Sequence, residues 1–156
     1  SSVGLAPAQV QVVWLSDLFW SWIPDDTVPN VKIVLRNITL HFPNVKLVFL
    51  SDLRYGGYFN REPVRHDLGF SVRQVIEDQI NGDPTMDSTP WVAWGPSLWA
   101  DGTHRRSDGL NWLCRDYRPD GHLFSSGTAK SAKLLLSYFT KSELACRWFM
   151  AAGSCP

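Results

Sequence analysis

Two segments of this chain are near copies of one another. One reads Val-Gln-Val-Val-Trp-Leu-Ser-Asp-Leu from Val10, and the other reads Val-Lys-Leu-Val-Phe-Leu-Ser-Asp-Leu from Val45, 35 residues further on. Each is a short apolar run that stops at a Ser-Asp pair, the pattern of a buried strand bounded by a turn. We place the strands at Val10 to Trp14 and Val45 to Leu50. Their separation suits two parallel strands joined by a crossover. A single repeat of this length does not make a solenoid.

The segment between them, Val31 to Phe42, fits two patterns. Val31, Val34, Ile38 and Phe42 share a helical face, while Val31, Ile33 and Leu35 alternate as in a strand. Helix is the better choice, because the flanking strands need a crossover element. Pro29 then falls in a first turn, where proline is tolerated, and Pro43-Asn44 ends the helix. A clearer helix runs from Arg65 to Ile80, with an apolar stripe of Leu68, Val72, Val75, Ile76 and Ile80 and a stop at Asn81-Gly82. Pro90 to Trp94 reads as a third strand, and Gly95 to Gly121 as loop. A last long helix spans Ser126 to Phe139. Ser125 or Ser126 can cap it, and Ala132, Leu135, Leu136 and Phe139 supply its apolar face. Leu144 to Met150 adds a short turn of helix.

Alternating strands and helices predict one α/β domain over residues 1–156 with a mainly parallel sheet. In such sheets, sites form beyond the carboxyl ends of the strands. That rim would carry Ser16-Asp17, Ser51 to Tyr58 and Gly95 to Trp99, and the loop before the last helix can reach it.

Composition narrows the function classes. Lys+Arg and Asp+Glu are 15 each, so there is no basic excess of the kind nucleic-acid binders carry. With 44% hydrophobic residues the chain is not a disordered tail. Eight Trp call for either an aromatic core or an aromatic surface that a partner or ligand covers. No apolar run reaches the roughly 18 residues of a membrane-spanning helix. No signal peptide is visible, and the opening Ser1-Ser2 without Met reads as a processed or incomplete start. The three Cys allow one disulfide and a spare thiol, Cys114–Cys146 being one such pairing, or three free thiols. None has zinc-site spacing, so neither metal nor cofactor is expected.

The most chemically suggestive loop is Arg118-Pro-Asp-Gly-His-Leu-Phe-Ser-Ser-Gly127. A His there can take a proton from a nucleophile while an Asp orients the imidazole, which makes Asp120 and His122 a catalytic acid/base pair. The plain alternative is a turn at Asp120-Gly121 and an exposed His122. Ser51 and Asp52 read either as a nucleophile with its neighbour or as strand-end hydrogen bonding. Tyr55-Gly56-Gly57-Tyr58 can let backbone N–H groups approach a ligand, or can be a tight turn. Trp91, Trp94 and Trp99 line a pocket or pack in the core. Ser51, Tyr55, Gly56, Gly57 and Trp94 are therefore the substrate-binding residues expected. His104-Arg105-Arg106 reads as a solvated loop or an anion site, His66 as exposed, and His41 as a helix-end residue suited to the dipole. Asn37-Ile38-Thr39 is a glycosylation sequon.

These residues lie within stretches that together resemble the C-terminal part of bacterial SGNH/GDSL-type hydrolases. The matching pieces are LAPAQVQVVWL, FPNVKLVFLSDLRYGGY, GFSVRQVIEDQINGDP, PWVAWGPSLWADGTHRRSDGLNWLCRDYRPDGH and AKLLLSYF, with a Cys-Arg-Trp-Phe ending. The resemblance implies a three-layer, flavodoxin-like α/β fold and hydrolysis of acyl or acetylated esters, often outside the cytoplasm, in the periplasm or secreted. It also implies a Ser nucleophile near the family's N-terminus and an Asp-x-x-His pair just before the last helix, here Asp120 and His122. The block carrying that Ser would lie upstream of Ser1. The family loop reads Asp-Gly-x-His-Pro-Ser, whereas His122 stands one place earlier and no Pro follows it.

Three functions are then open: part of a serine ester hydrolase, a non-catalytic interaction module on a degenerate hydrolase fold, or carbohydrate binding through exposed Trp. A chain lacking the first strand–helix unit would have an open sheet edge and an uncovered apolar face, so another polypeptide is the expected partner.

Overall fold

A computed structural model describes residues 4–16, 24–54 and 64–155. In chain order the elements are β1 (Val12–Leu15), α1 (Pro24–His41), β2 (Leu47–Leu50), α2 (Val64–Ile80), β3 (Trp91–Trp94), α3 (Ser125–Lys141) and α4 (Glu143–Phe149). Contacts divide the chain into two compact units: Ser1–Leu53 with Pro63–Ser97, and Arg54–Glu62 with Leu98–Pro156.

The first unit holds a three-stranded, wholly parallel sheet in the order β1-β2-β3. Val12 pairs with Leu47, Val13 with Val48, Trp14 with Phe49 and Leu15 with Leu50. This is the pairing obtained by laying the two sequence copies over each other. The strand order advances in one direction, so right-handed crossovers put both connecting helices on one face. There Val31, Leu35 and Ile38 of α1 and Val72, Val75 and Ile76 of α2 close over Val48, Leu50 and Val92. Leu47, Phe49 and Ala93, on the other face, are buried as well. The central strand is thus apolar throughout because both its faces leave water. Lys32 ties the helices together through Asp78 at 2.6 Å and Asp83 at 2.8 Å.

Three expectations need correction in this unit. α1 starts at Pro24, so Pro29 lies inside the helix beyond its first turn. The packing of Val31, Leu35 and Ile38 outweighs the one backbone bond that a proline cannot make. β1 is half-buried rather than buried, as befits an edge strand. Ile80 is exposed, since α2 has reached its end. There Gly82, at φ 74°, turns the chain as the sequence predicted. At the opposite edge the Gln79 side chain accepts the Val92 N–H at 2.8 Å and donates to the Pro90 carbonyl at 3.0 Å. One side chain thereby substitutes for a neighbouring strand.

The second unit is built mainly from irregular chain around Ala100, Leu110, Trp112 and Tyr117, with Leu123 and Leu134 packed against them. The Trp112 indole N–H donates to the Leu98 carbonyl at 2.9 Å. α3 meets this cluster through Gly127, Lys130 and Leu134, one helical face. The stripe expected to be buried points elsewhere: Ala132 and Leu136 are exposed, and Leu135 and Phe139 are half-buried. Its N-cap is Phe124, with no side-chain cap bond. Ser126 instead donates to the Arg115 carbonyl at 3.2 Å. α4 buries Ala145 and Cys146. The disulfide joins Cys146 to Cys155 and leaves Cys114 an exposed free thiol, not the Cys114–Cys146 pairing.

Candidate functional site

Two constellations carry the residues singled out in the sequence. The first lies on the carboxyl rim of the sheet. Ser51 follows β2 directly, is 1% exposed, and both of its hydrogen-bonding roles are taken. Its hydroxyl donates to the Pro96 carbonyl at 2.7 Å and accepts the Trp14 indole N–H at 2.9 Å. Next to it, Asp52 accepts a 2.6 Å bond from the Ser97 hydroxyl. Gly95 is required between them. A Cβ there would stand 2.6 Å from the Ser51 hydroxyl oxygen and 3.1 Å from the Leu50 carbonyl oxygen. The rim is therefore a closed hydrogen-bonded knot that locks the ends of all three strands together. Ser51 and Asp52 follow the strand-end reading of the sequence, and a buried hydroxyl with both partners in place is poorly placed to attack a substrate. Asp17, Tyr55, Gly56, Gly57 and Tyr58 lie outside the described residues. Trp94, at the end of β3, and Trp91, at its start, are both exposed rather than core.

The second constellation is a β-hairpin in the other unit. Tyr117 and Leu123 form an antiparallel bridge, and the Arg118 N–H donates to the His122 carbonyl at 2.7 Å. Gly121 turns the tip at φ 88°, which only glycine accepts without strain. Strand alternation does the sorting: Tyr117 and Leu123 face the core, whereas Arg118 and His122 face outward. At the tip, one Asp120 carboxylate oxygen accepts the His122 backbone N–H at 3.0 Å and lies 3.2 Å from the His122 ring Nδ1. The His122 N–H, ahead of the imidazole and the charge of Arg118, holds the Asp120 carboxyl below its ordinary range. The His122 side chain is 74% exposed. The structure shows the plain alternative, a turn at Asp120-Gly121 with an exposed His122, and the Asp120–Nδ1 contact lies within that turn. Arg118 lies over the exposed Phe124 ring at 5.8 Å.

Other nominated residues have plain roles. Arg106 pairs with Asp108 and donates to the Trp99 carbonyl at 2.6 Å, while His104 and Arg105 are exposed. His41 and His66 are exposed, and Asn37 of the sequon lies on the outer side of α1. Among the described residues no group of three or more His, Cys, Asp or Glu could hold a metal ion, and no helix is long and apolar enough to cross a membrane.

Sequence reasoning missed Asp116 and Lys130. Asp116 is completely buried, and its carboxylate accepts the Leu113 N–H at 2.8 Å and the Lys130 ammonium at 2.5 Å. Burial by itself would push that carboxyl up; the Lys130 bond, with the Leu113 N–H, outweighs it and holds the carboxyl below its ordinary range. The available signal was a lysine in register with Gly127 and Leu134 on α3. It is weak, because a lone Lys on a helix normally marks the solvent face.

Comparison of the chain with protein-family models, with curated proteins and with solved structures finds no match.

Proposed function

We propose that this chain is the C-terminal, acid/base portion of a serine ester hydrolase of SGNH type, with a three-layer, flavodoxin-like fold. Asp120 orients the imidazole, and His122 is the general base. The nucleophilic Ser comes from a segment outside these 156 residues. The observation that carries the reading is the Asp120–His122 contact at 3.2 Å through Nδ1, which leaves Nε2 to face a substrate hydroxyl or a serine. That is the arrangement in which a carboxylate sets the tautomer and stabilises the imidazolium. The substrate class is an acyl or acetylated ester, including acetylated sugars. The Cys146–Cys155 disulfide supports a secreted or periplasmic location.

Ester hydrolysis and fluorophosphonate labelling, measured on the chain alone and on the complete translation product of its gene, test this. The expected result is a labelled serine upstream of Ser1 and hydrolysis of p-nitrophenyl acetate by that complete product. That hydrolysis falls by about 100-fold or more in His122→Ala, the scale of general-base catalysis. Labelling of a serine within the chain, or full hydrolysis by His122→Ala, would overturn it.

A second reading is a non-catalytic interaction module that docks another polypeptide. Leu136, Leu144, Trp148 and Phe149 favour it, because α3 and α4 turn all four toward solvent. Absent labelling and hydrolysis in every form, with a stoichiometric partner on the α3–α4 face, would decide for the module.

A further inference from the structure

We infer that Asp116, acting through Lys130, is a positioning residue for the Asp120–His122 pair. This rests on the hydrolase reading of that pair.

The hairpin that presents His122 has only a short ladder of its own. Its base is fixed from outside. The Asp116 carbonyl accepts the Phe124 N–H at 2.9 Å, which closes the two arms immediately below the Tyr117–Leu123 bridge. The Asp116 carboxylate holds the Leu113 N–H on the incoming side. Lys130 then joins this corner to α3. Its ammonium reaches the Asp116 carboxylate at 2.5 Å and the Asn111 carbonyl at 3.0 Å, and lies 6.0 Å from the centre of the Trp112 ring. α3 comes close enough for this because Gly127 has no side chain: a Cβ there would stand 2.5 Å from the Asp116 carbonyl oxygen and 3.2 Å from the Asp116 Cβ. One residue thus ties the loop, both hairpin arms and α3 together. The direction of the His122 ring, six residues on, depends on that corner because, among the described residues, the bonds of the tip are those of its own turn. A general base misplaced by about 1 Å loses much of its effect.

The tautomer of His122 reads the position of its ring directly. In the native chain Nδ1 faces the Asp120 oxygen, so nitrogen-15 spectra of the assigned His122 ring should show the Nδ1–H tautomer in the majority of the neutral form. Asp120→Asn sets the unbiased value. In Lys130→Met the Nδ1–H majority should be lost and the spectrum should approach that of Asp120→Asn, while Lys130→Arg should restore most of it. If Lys130→Met does not fold, Gly127→Ala displaces the same corner without removing the charge, and the same loss is expected. A folded Lys130→Met or Gly127→Ala with the native tautomer ratio overturns the inference, as does an equal loss in Lys130→Arg. The hydrolase reading is judged separately. Absent ester hydrolysis would sink it while leaving the tautomer result intact, and a native tautomer ratio would sink the positioning role while leaving hydrolysis intact.

Discussion

The two units of this protein are held together by different means. In the first, eleven buried apolar residues among those described, from two strands, two helices and the segments between them, form one cluster, and polar bonds serve mainly to finish edges, as Gln79 and the Ser51 knot do. In the second, the cluster around Trp112 has four buried apolar members among the described residues. There an ion pair between buried Asp116 and half-buried Lys130 and a disulfide complete the structure. Apolar burial is non-directional and needs only repeated, well-spaced side chains. An ion pair and a disulfide need particular atoms in particular places. The first unit is therefore an apolar scaffold, and the second is fixed by a few specific contacts between its loops and helices.

The sharpest way to break that contrast is to cut into the scaffold. Phe49, fully buried in the central strand, should cost about 4 kcal/mol on truncation to Ala, from lost transfer energy and the cavity left behind. Urea unfolding followed by tryptophan fluorescence measures it. A loss below about 1 kcal/mol would mean that the sheet does not organise its unit.

The second unit should respond to a change of charge instead. Lys130→Met leaves Asp116 buried without its cation and should cost about 3 kcal/mol at neutral pH. The pH dependence gives the sign. In the native chain the Asp116 carboxyl is held low, so its contribution is complete above the unfolded value of about 3.9 and is lost as pH falls through the folded value. Without Lys130 fewer bonds oppose burial, so the carboxyl of the variant should stand above the native one. The variant then gains less stability than the native chain as pH rises. The gap between native chain and variant should consequently narrow on acidification to pH 3–4 and widen toward neutrality. A gap independent of pH would show that Lys130 acts by packing its methylenes alone.

The same contrast explains what could be read from the sequence. The sheet was legible because its signal is repetition: the offset between the two Val-to-Leu copies is also the β1–β2 register. α2 was legible from Leu68, Val72, Val75 and Ile76 and from its Gly82 stop. α3 was found, but its inward face was misassigned. That face is made by Gly127, which contributes closeness, and Lys130, which contributes charge, and neither registers as hydrophobic periodicity. The Asp120–His122 pair was visible because its members are two residues apart. Asp116 and Lys130 are fourteen apart and meet only through the fold. Three cysteines permit three pairings, and nothing in their spacing selects Cys146–Cys155.

Reduction of that disulfide should cost about 2 kcal/mol, since it closes a short loop, and should affect the second unit alone. Hydrogen exchange locates the loss. Faster exchange in α4 with unchanged β2 amides is expected; a loss spread equally over both units would show that they do not respond separately.

The smallest effect belongs to the polar tie in the scaffold. Asp83 receives hydrogen bonds first from Lys32 and then from the Thr85 N–H and hydroxyl, which lower its carboxyl to about 2. Its folded value is depressed, so whatever it contributes is complete above the unfolded value of about 3.9 and disappears as pH falls through about 2. Asp83 is close to water, where such pairs are screened. Carbon-13 titration should place its carboxyl well below the ordinary carboxylate range, and Lys32→Met should raise it. Unfolding measured between pH 5 and 7 should not detect the group at all, because it is ionised in both states there. A midpoint for Asp83 within the ordinary carboxylate range would remove its bond to Lys32 from the tie and leave Asp78 as the partner that joins Lys32 of α1 to α2.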